Sequence, residues 1–205
     1  MKKILKHLVI ALIVFYSFSS FAKEDEDLQE ARVFIEEIGN KIINIANEKN
    51  ISDAKIREKI IAEIDKVIDS EWIAKFVLGK NYKNLTEQQK LSFVGLYREF
   101  MINTYGPKFK NYNGKKFTVN EVTRQNSFFI AKAEFLPKES DTSIMTDFRV
   151  KKRDGKFYVL DFIAEGISLI ETQRSEFNAT IDKNGVEPFL KNLEAKVKNL
   201  KNNKK

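Results

Sequence analysis

Residues 144–166, IMTDFRVKKRDGKFYVLDFIAEG, have the pattern of a β-hairpin, and the fold class follows from it. Apolar and polar residues alternate on both sides of Arg153-Asp-Gly-Lys156, which is typical of two strands joined by a tight turn. The first strand has Ile144, Thr146, Phe148 and Val150 in alternate positions, and we expect one face of the second to carry Phe157, Val159, Asp161 and Ile163. Gly166 ends the second strand.

Two further strands precede the hairpin, and helices flank the sheet. Period-two alternation predicts strands from Lys115 to about Thr123 and from Ser127 to Leu136. Apolar residues three and four positions apart predict helices at about 26–48, 52–67, 70–78, 86–105, 167–182 and 188–200. The expected fold is α+β, a four-stranded twisted antiparallel sheet packed with N-terminal and C-terminal helices.

Four helix starts carry capping signals, and at the second helix Ser52 and Asp53 are the expected caps. Thr86-Glu-Gln-Gln89 has the form of a capping box. Ser70 is the expected start of the short third helix, and Ser168 is the expected N-cap of the helix that follows Gly166.

Composition excludes most familiar enzyme chemistry. The 205 residues are 42% hydrophobic and 32% charged, which suits one soluble domain with a sizeable core. There is no cysteine, and the single histidine, His7, lies in a segment that we expect to be removed. The remaining chain therefore has no thiolate catalysis, no Ser-His-Asp triad and no Cys- or His-ligated metal centre. No cofactor and no metal are expected.

Carboxylates remain as candidates for catalysis. Asp147, Asp161 and Glu165 lie on or near predicted strands, but their spacing does not favour an acid–base pair. We expect these acids to be solvated or to pair with Arg149 and Arg174. Arg174 either pairs with Asp161 or Glu165 or contacts a partner, and the internal pair is preferred. We predict that the protein is not an enzyme, and a carboxylate-based exported enzyme stays open as an alternative.

The N-terminus reads as an export signal. Three lysines precede the apolar run Leu8–Phe18, and the small residues Ser20 and Ala22 follow it. The run has 11 residues, whereas crossing a bilayer takes roughly 17–25. We expect residues 1–22 to be a signal peptide that is cleaved after Ala22.

Positive charge is concentrated at the two ends of the chain. The formal net charge is +7, but residues 23–190 hold 27 basic and 28 acidic side chains, while residues 191–205 hold six lysines and one acid. We therefore predict a domain over 23–190, a basic helix end and tail over 191–205, and no nucleic-acid partner. The tail either contacts an anionic membrane or acidic partner or is simply solvated.

Short motifs along nearly the whole chain resemble one family, that of the toluene-tolerance/MlaC periplasmic phospholipid-binding proteins. The matching elements, in chain order, are Phe76-Val-Leu-Gly-Lys80, Thr86-Glu-Gln-Gln-Lys90, Arg153-Asp-Gly155, Phe157-Tyr-Val-Leu-Asp161 and Glu165-Gly-Ile-Ser168. The family usually has tryptophan where this chain has Phe157, and often tyrosine where it has Gln173.

The resemblance implies a mixed α+β fold around a deep apolar pocket that holds phospholipid. It also implies a monomeric periplasmic shuttle between an outer-membrane lipoprotein–porin complex and an inner-membrane ABC transporter complex with its substrate-binding ring protein. Moving one 16-carbon chain into water costs on the order of 11 kcal/mol, so a carrier has to enclose the tails.

The apolar surplus supplies candidates for such a pocket, with 17 phenylalanines in the chain. Composition alone does not separate a dry core from a cavity. The candidate acyl-chain-lining residues are Trp72, Phe76, Leu78, Leu96, Phe100, Tyr105, Phe148, Val150, Val159, Ile163, Ile167 and Ile170. A shallow open groove would instead favour a periplasmic adaptor or chaperone that binds an apolar protein segment.

Overall fold

The structure is a computed structural model that describes residues 26–106 and 113–202. The predicted signal peptide lies outside these residues. The N-terminal helices are α1 (26–46), α2 (Asp53–Val67), α3 (Ser70–Leu78) and α4 (Glu87–Tyr105), with a 3-10 helix at Gly79–Asn84. The sheet follows as β1 (Gly114–Gln125), β2 (Phe128–Pro137), β3 (Ile144–Arg153), β4 (Lys156–Ala164) and β5 (Ile167–Ser168), and the chain continues with α5 (Leu169–Asn184) and α6 (Val186–Asn202).

The sheet is antiparallel with the strand order β1-β2-β3-β4-β5, so the α+β prediction is confirmed with one strand more than expected. The extra strand, β5, pairs Ile167 with Ala164. Glu165 and Gly166 adopt φ values of 52° and 77°, and this left-handed pair turns the chain back on itself before α5 begins. The prediction of a helix from residue 167 was therefore two residues early.

Helix starts follow side-chain caps. Thr86 and Gln89 form the predicted capping box, and Ser168 accepts a hydrogen bond from the Glu171 amide as the predicted N-cap of α5. At α3 the cap is Asp69, whose carboxylate accepts from the Trp72 amide at 3.1 Å. The prediction that the helix opens at Ser70 thus holds, but the preceding residue caps it.

A bulge in β4 divides the residues that strict alternation placed on one face. Arg149 pairs with Asp161, but the next residue, Val150, pairs with Val159, which leaves Leu160 as an extra residue. Val159 therefore shares a face with Val150, whereas Asp161 and Ile163 lie on the opposite face. The prediction of one common face for Phe157, Val159, Asp161 and Ile163 was wrong because the bulge reverses the alternation.

The apolar interior of the described chain falls into three clusters. The helical cluster is built by α3, α4, α5 and α6 around Phe93 and Phe177. The sheet cluster packs α1 against one face of the sheet, and the smallest cluster joins α1 to α2 around Ile60. Two buried members of the helical cluster, Leu193 and Val197, lie within residues 191–205.

Side chains of α1 cover the outer edge of β1. Arg32 donates to the Val119 carbonyl, and Glu36 accepts from the Val119 amide at 3.4 Å. Near the end of α1, Asn47 donates to the Gly114 carbonyl at 3.0 Å. The backbone groups of this edge strand are thus bonded where α1 passes over them.

Close contact between α1 and the sheet requires a glycine at position 39. A Cβ there would overlap the ring of Phe117, whereas a Cβ on Gly95, in the exposed part of α4, would meet nothing within 4 Å. We expect Gly39→Ala to lower the free energy of unfolding by about 1–2 kcal/mol, because overpacking outweighs the better helix propensity of alanine.

The matched control, Gly95→Ala, should raise the free energy of unfolding by about 0.5–1 kcal/mol. Urea denaturation of both variants tests the pair. Stabilisation by Gly39→Ala would contradict the tight packing of α1 on the sheet.

Candidate functional site

A buried carboxylate joins the sheet to α5. Asp161 Oδ2 accepts from the Ser168 hydroxyl at 2.6 Å, and its Oδ1 accepts from the Ile170 amide at 3.2 Å. Arg149 lies 3.8 Å away. Burial raises the pKa of Asp161. Both oxygens are bonded within the fold and the side chain has no exposed surface, which leaves it no free group for a substrate.

A second buried polar contact joins α4 to α5. The Tyr97 hydroxyl donates to the Gln173 side chain, whose amide nitrogen lies 3.2 Å from the Met101 sulfur. Burial raises the pKa of Tyr97. The family that the sequence resembles often has tyrosine at the position of Gln173, and the Gln173 side chain connects two helices here.

Arg174 and Asn178 of α5 cap the C-terminus of α3. Arg174 donates to the Phe76 carbonyl, and Asn178 donates to the Val77 carbonyl at 2.9 Å. Gly79 adopts φ 53°, and a Cβ there would lie 2.7 Å from the Arg174 guanidinium. The expected pairing of Arg174 with Asp161 or Glu165 was wrong, because the guanidinium donates to the Phe76 carbonyl instead.

The twelve predicted lining residues divide between the clusters. Six belong to or pack against the helical cluster: Trp72, Phe76, Leu78, Leu96, Phe100 and Ile170. Three belong to or pack against the sheet cluster: Phe148, Val150 and Val159. Tyr105 is half-buried at the end of α4, Ile163 is half-buried on the opposite sheet face, and Ile167 is 65% exposed.

Burial separates these residues further. Leu78, Val150 and Ile170 are at most 2% exposed, so protein atoms surround them on all sides. Leu96 and Val159 are only half-buried and have apolar surface left over.

Half-buried apolar residues, three of them outside the prediction, lie where α2 meets β4 and on the adjoining strand β3. Ile68 pairs with Val159 in an isolated parallel bridge, and Ile64 is one helical turn earlier. On the sheet, the rings of Phe148 and Phe162 lie 5.5 Å apart. We call this group the α2–β4 seam: Ile64, Ile68, Phe148, Val159 and Phe162. The helical stripe of α2 predicted core positions but carried no signal for which of them stay partly uncovered.

Residues 26–106 and 113–202 contain no group of three or more His, Cys, Asp or Glu side chains able to hold a metal ion. Within the same ranges, no helix has both the length and the apolar character needed to cross a membrane.

Comparison with known proteins identifies relatives. A family model described as MlaC protein matches residues 36–195, well over half of the chain. The chain is 20% identical over 131 residues to the intermembrane phospholipid transport system binding protein MlaC of Haemophilus influenzae. That match covers 62% of this chain and 61% of the relative, which is less than two thirds of the relative's length.

Among solved structures, the fold matches a phospholipid-binding protein from Ralstonia solanacearum in complex with a phospholipid. The TM-score is 0.73 at 16% sequence identity, and the match covers 83% of this chain and 98% of the other. The two proteins share a fold.

The raised pKa of Asp161 predicts a pH-dependent stability. Because the folded state binds this proton more tightly than the unfolded state does, the wild type should gain stability relative to Asp161→Asn as the pH falls through the raised pKa. The gain is complete below the ordinary value of 3.8. Urea denaturation of both proteins at several pH values between 7 and 4 measures it.

Asp154→Asn, in the exposed hairpin turn, controls for the exchange of Asp for Asn at a surface position. A wild-type advantage that stays constant or shrinks on acidification would contradict the burial of the Asp161 carboxylate.

Proposed function

The chain belongs to the MlaC family, and from that premise we propose that it binds phospholipid and carries it through an aqueous compartment. The acyl chains would lie in an apolar space along the α2–β4 seam. The lipid bound by the Ralstonia relative and the transport system named for the Haemophilus relative support this proposal.

The observation that carries the proposal is the divided core. A domain of this size usually buries one contiguous cluster, whereas the described chain has three. Members of the seam pack against all three: Ile64 against the α1–α2 cluster, Ile68 against the helical cluster and Val159 against the sheet cluster. Each keeps apolar surface that protein atoms leave uncovered.

A phospholipid fits this arrangement energetically. Each acyl methylene that leaves water contributes about 0.8 kcal/mol. Ligand sites of this kind are concave and mostly apolar, with a polar group needed only where the headgroup emerges. Half-buried side chains from separate layers provide such a lining, and fully packed ones do not.

We therefore propose Leu96, Phe148 and Val159 from the sequence prediction as lining residues, together with Ile64, Ile68 and Phe162. Leu78, Val150 and Ile170 would reach lipid only after the layers move apart. Phe100, Tyr105, Ile163 and Ile167 stay predictions of the sequence analysis. Trp72 and Phe76 stack on each other in an aromatic array.

We propose the periplasm as the location, with residues 1–22 cleaved after Ala22, a domain over 23–190 and a basic end over 191–205. The docking partners would be an outer-membrane lipoprotein–porin complex and an inner-membrane ABC transporter complex with its substrate-binding ring protein. A passive monomeric carrier needs no catalytic group, in keeping with the internal bonding of Asp161.

Two directly paired valines test the lining. Val150 is fully buried, and its neighbour across the strands, Val159, is half-buried. We expect Val150→Phe to lower the free energy of unfolding by about 1–3 kcal/mol through overpacking. Val159→Phe should cost less than about 1 kcal/mol, because the ring enters free space, and should reduce bound lipid per protein at least twofold.

Urea denaturation and lipid extraction of the two variants give the readouts. Equal destabilisation of both, or unchanged lipid in Val159→Phe, would contradict an apolar space beside β4.

Native mass spectrometry tests the function itself. We expect the exported protein to carry adducts of phospholipid mass after gentle purification, and organic extraction identifies the headgroup and the number of chains. A protein that stays free of adducts after incubation with phospholipid vesicles would refute lipid carriage and favour the adaptor or chaperone that binds an apolar protein segment.

A further inference from the structure

Three aromatic rings form a continuous array where α3 meets β2. Trp72 and Phe76 of α3 stack with 5.2 Å between ring centroids and 12° between planes. Phe128 of β2 meets the edge of Trp72 at 6.0 Å. All three side chains are half-buried, so the array joins the helices to the sheet and still presents apolar edges to solvent.

A cation lies on the ring at each end of the array. The Lys151 ammonium is 5.2 Å from the centroid of Phe128, and the Arg174 guanidinium is 4.9 Å from that of Phe76. Within the part of the chain that the structure describes, neither cation has a carboxylate within 4.0 Å. The neighbouring cations do have carboxylate partners, in the pairs Lys75–Glu71 and Arg153–Asp69.

The two cations without a carboxylate partner determine the charge of the ligand that the array attracts. Aromatic rings alone could receive a quaternary ammonium group, but here protein cations already occupy the terminal rings. A further positive charge would be repelled, whereas phosphate oxygens complement Lys151 and Arg174.

We propose that this array, Lys151-Phe128-Trp72-Phe76-Arg174, is a docking surface for an anionic phospholipid bilayer. Tryptophan and other aromatic side chains favour the headgroup region, where one ring edge is apolar and the other hydrated. Basic side chains near an anionic surface add about fivefold in affinity each. Docking is independent of whether lipid enters the α2–β4 seam.

Trp72 is the one tryptophan in the chain, so intrinsic fluorescence reports on this surface alone. The chain purified after export is mixed with vesicles of phosphatidylglycerol and phosphatidylethanolamine, with brominated acyl chains as the quencher. We expect a blue shift and quenching of Trp72 that are absent with phosphatidylcholine vesicles. Both should be lost at 0.5 M salt, where screening is strong, and should reverse when the vesicles are removed.

A pair of variants separates this surface from the overall positive charge. Lys151→Gln should weaken apparent vesicle affinity about fivefold, whereas Lys191→Gln, the same change on the exposed side of α6, should leave it within twofold. Arg174 is not substituted because it also caps α3.

Three results would overturn the proposal. Equal losses in both variants would mean general charge attraction, and equal quenching by phosphatidylcholine would mean that headgroup charge is irrelevant. Quenching that persists in the soluble protein after vesicle removal would make Trp72 part of a lipid cavity, as the sequence analysis predicted. Vesicle-dependent quenching in a protein without phospholipid adducts would refute the carrier and leave the docking surface standing.

Discussion

The hydrogen bonds that the Asp161 carboxylate accepts from Ser168 and Ile170 fix where α5 begins. The rest of the helical layer follows from that start. Side chains of α5 cap α3 through Arg174 and bond α4 through Gln173. Burying a carboxylate costs free energy unless its oxygens accept hydrogen bonds. The strand β4, the turn at Glu165 and Gly166, and the start of α5 therefore have to form together. The motif Asp161…Glu165-Gly-Ile-Ser168 is thus the unit that attaches the helices to the sheet.

The helices and the sheet each have a packed cluster of their own, and apolar side chains beside these clusters stay only half-buried. The helical cluster and the sheet cluster are each dense, with Phe93 and Val150 fully buried. Between them the α2–β4 seam has apolar side chains that are only half covered. Leaving such surface uncovered forgoes roughly 25 cal/mol for each Å². Under the proposed function, that free energy would be available to a bound hydrocarbon chain.

Local signals in the sequence predicted the elements well, and long-range contacts account for what they missed. The Arg153–Lys156 turn and the Thr86 capping box depend on a few adjacent residues, so both were predictable. The bulge at Leu160 has no local signature, and it separated Ile163 from the other lining candidates on the sheet. Its positive charge suggested an acid as the partner of Arg174. The sequence did not reveal that the C-terminus of α3 would offer the Phe76 carbonyl to this side chain. The half-buried state of Ile64 depends on how the three apolar clusters meet in space. The hydrophobic periodicity of α2 carries no information on that arrangement.

The edge of β1 bears on whether copies of the protein associate at high protein concentration. A sheet that ends in a twelve-residue strand is a template on which another copy can add a strand. Arg32 and Glu36 of α1, with Asn47 just after it, already occupy donors and acceptors along that edge. These side chains therefore hinder the addition of a strand from another copy at this edge. A carrier of apolar ligands, as proposed here, would be protected from strand addition, because polar side chains lie where a neighbour's backbone would otherwise bind.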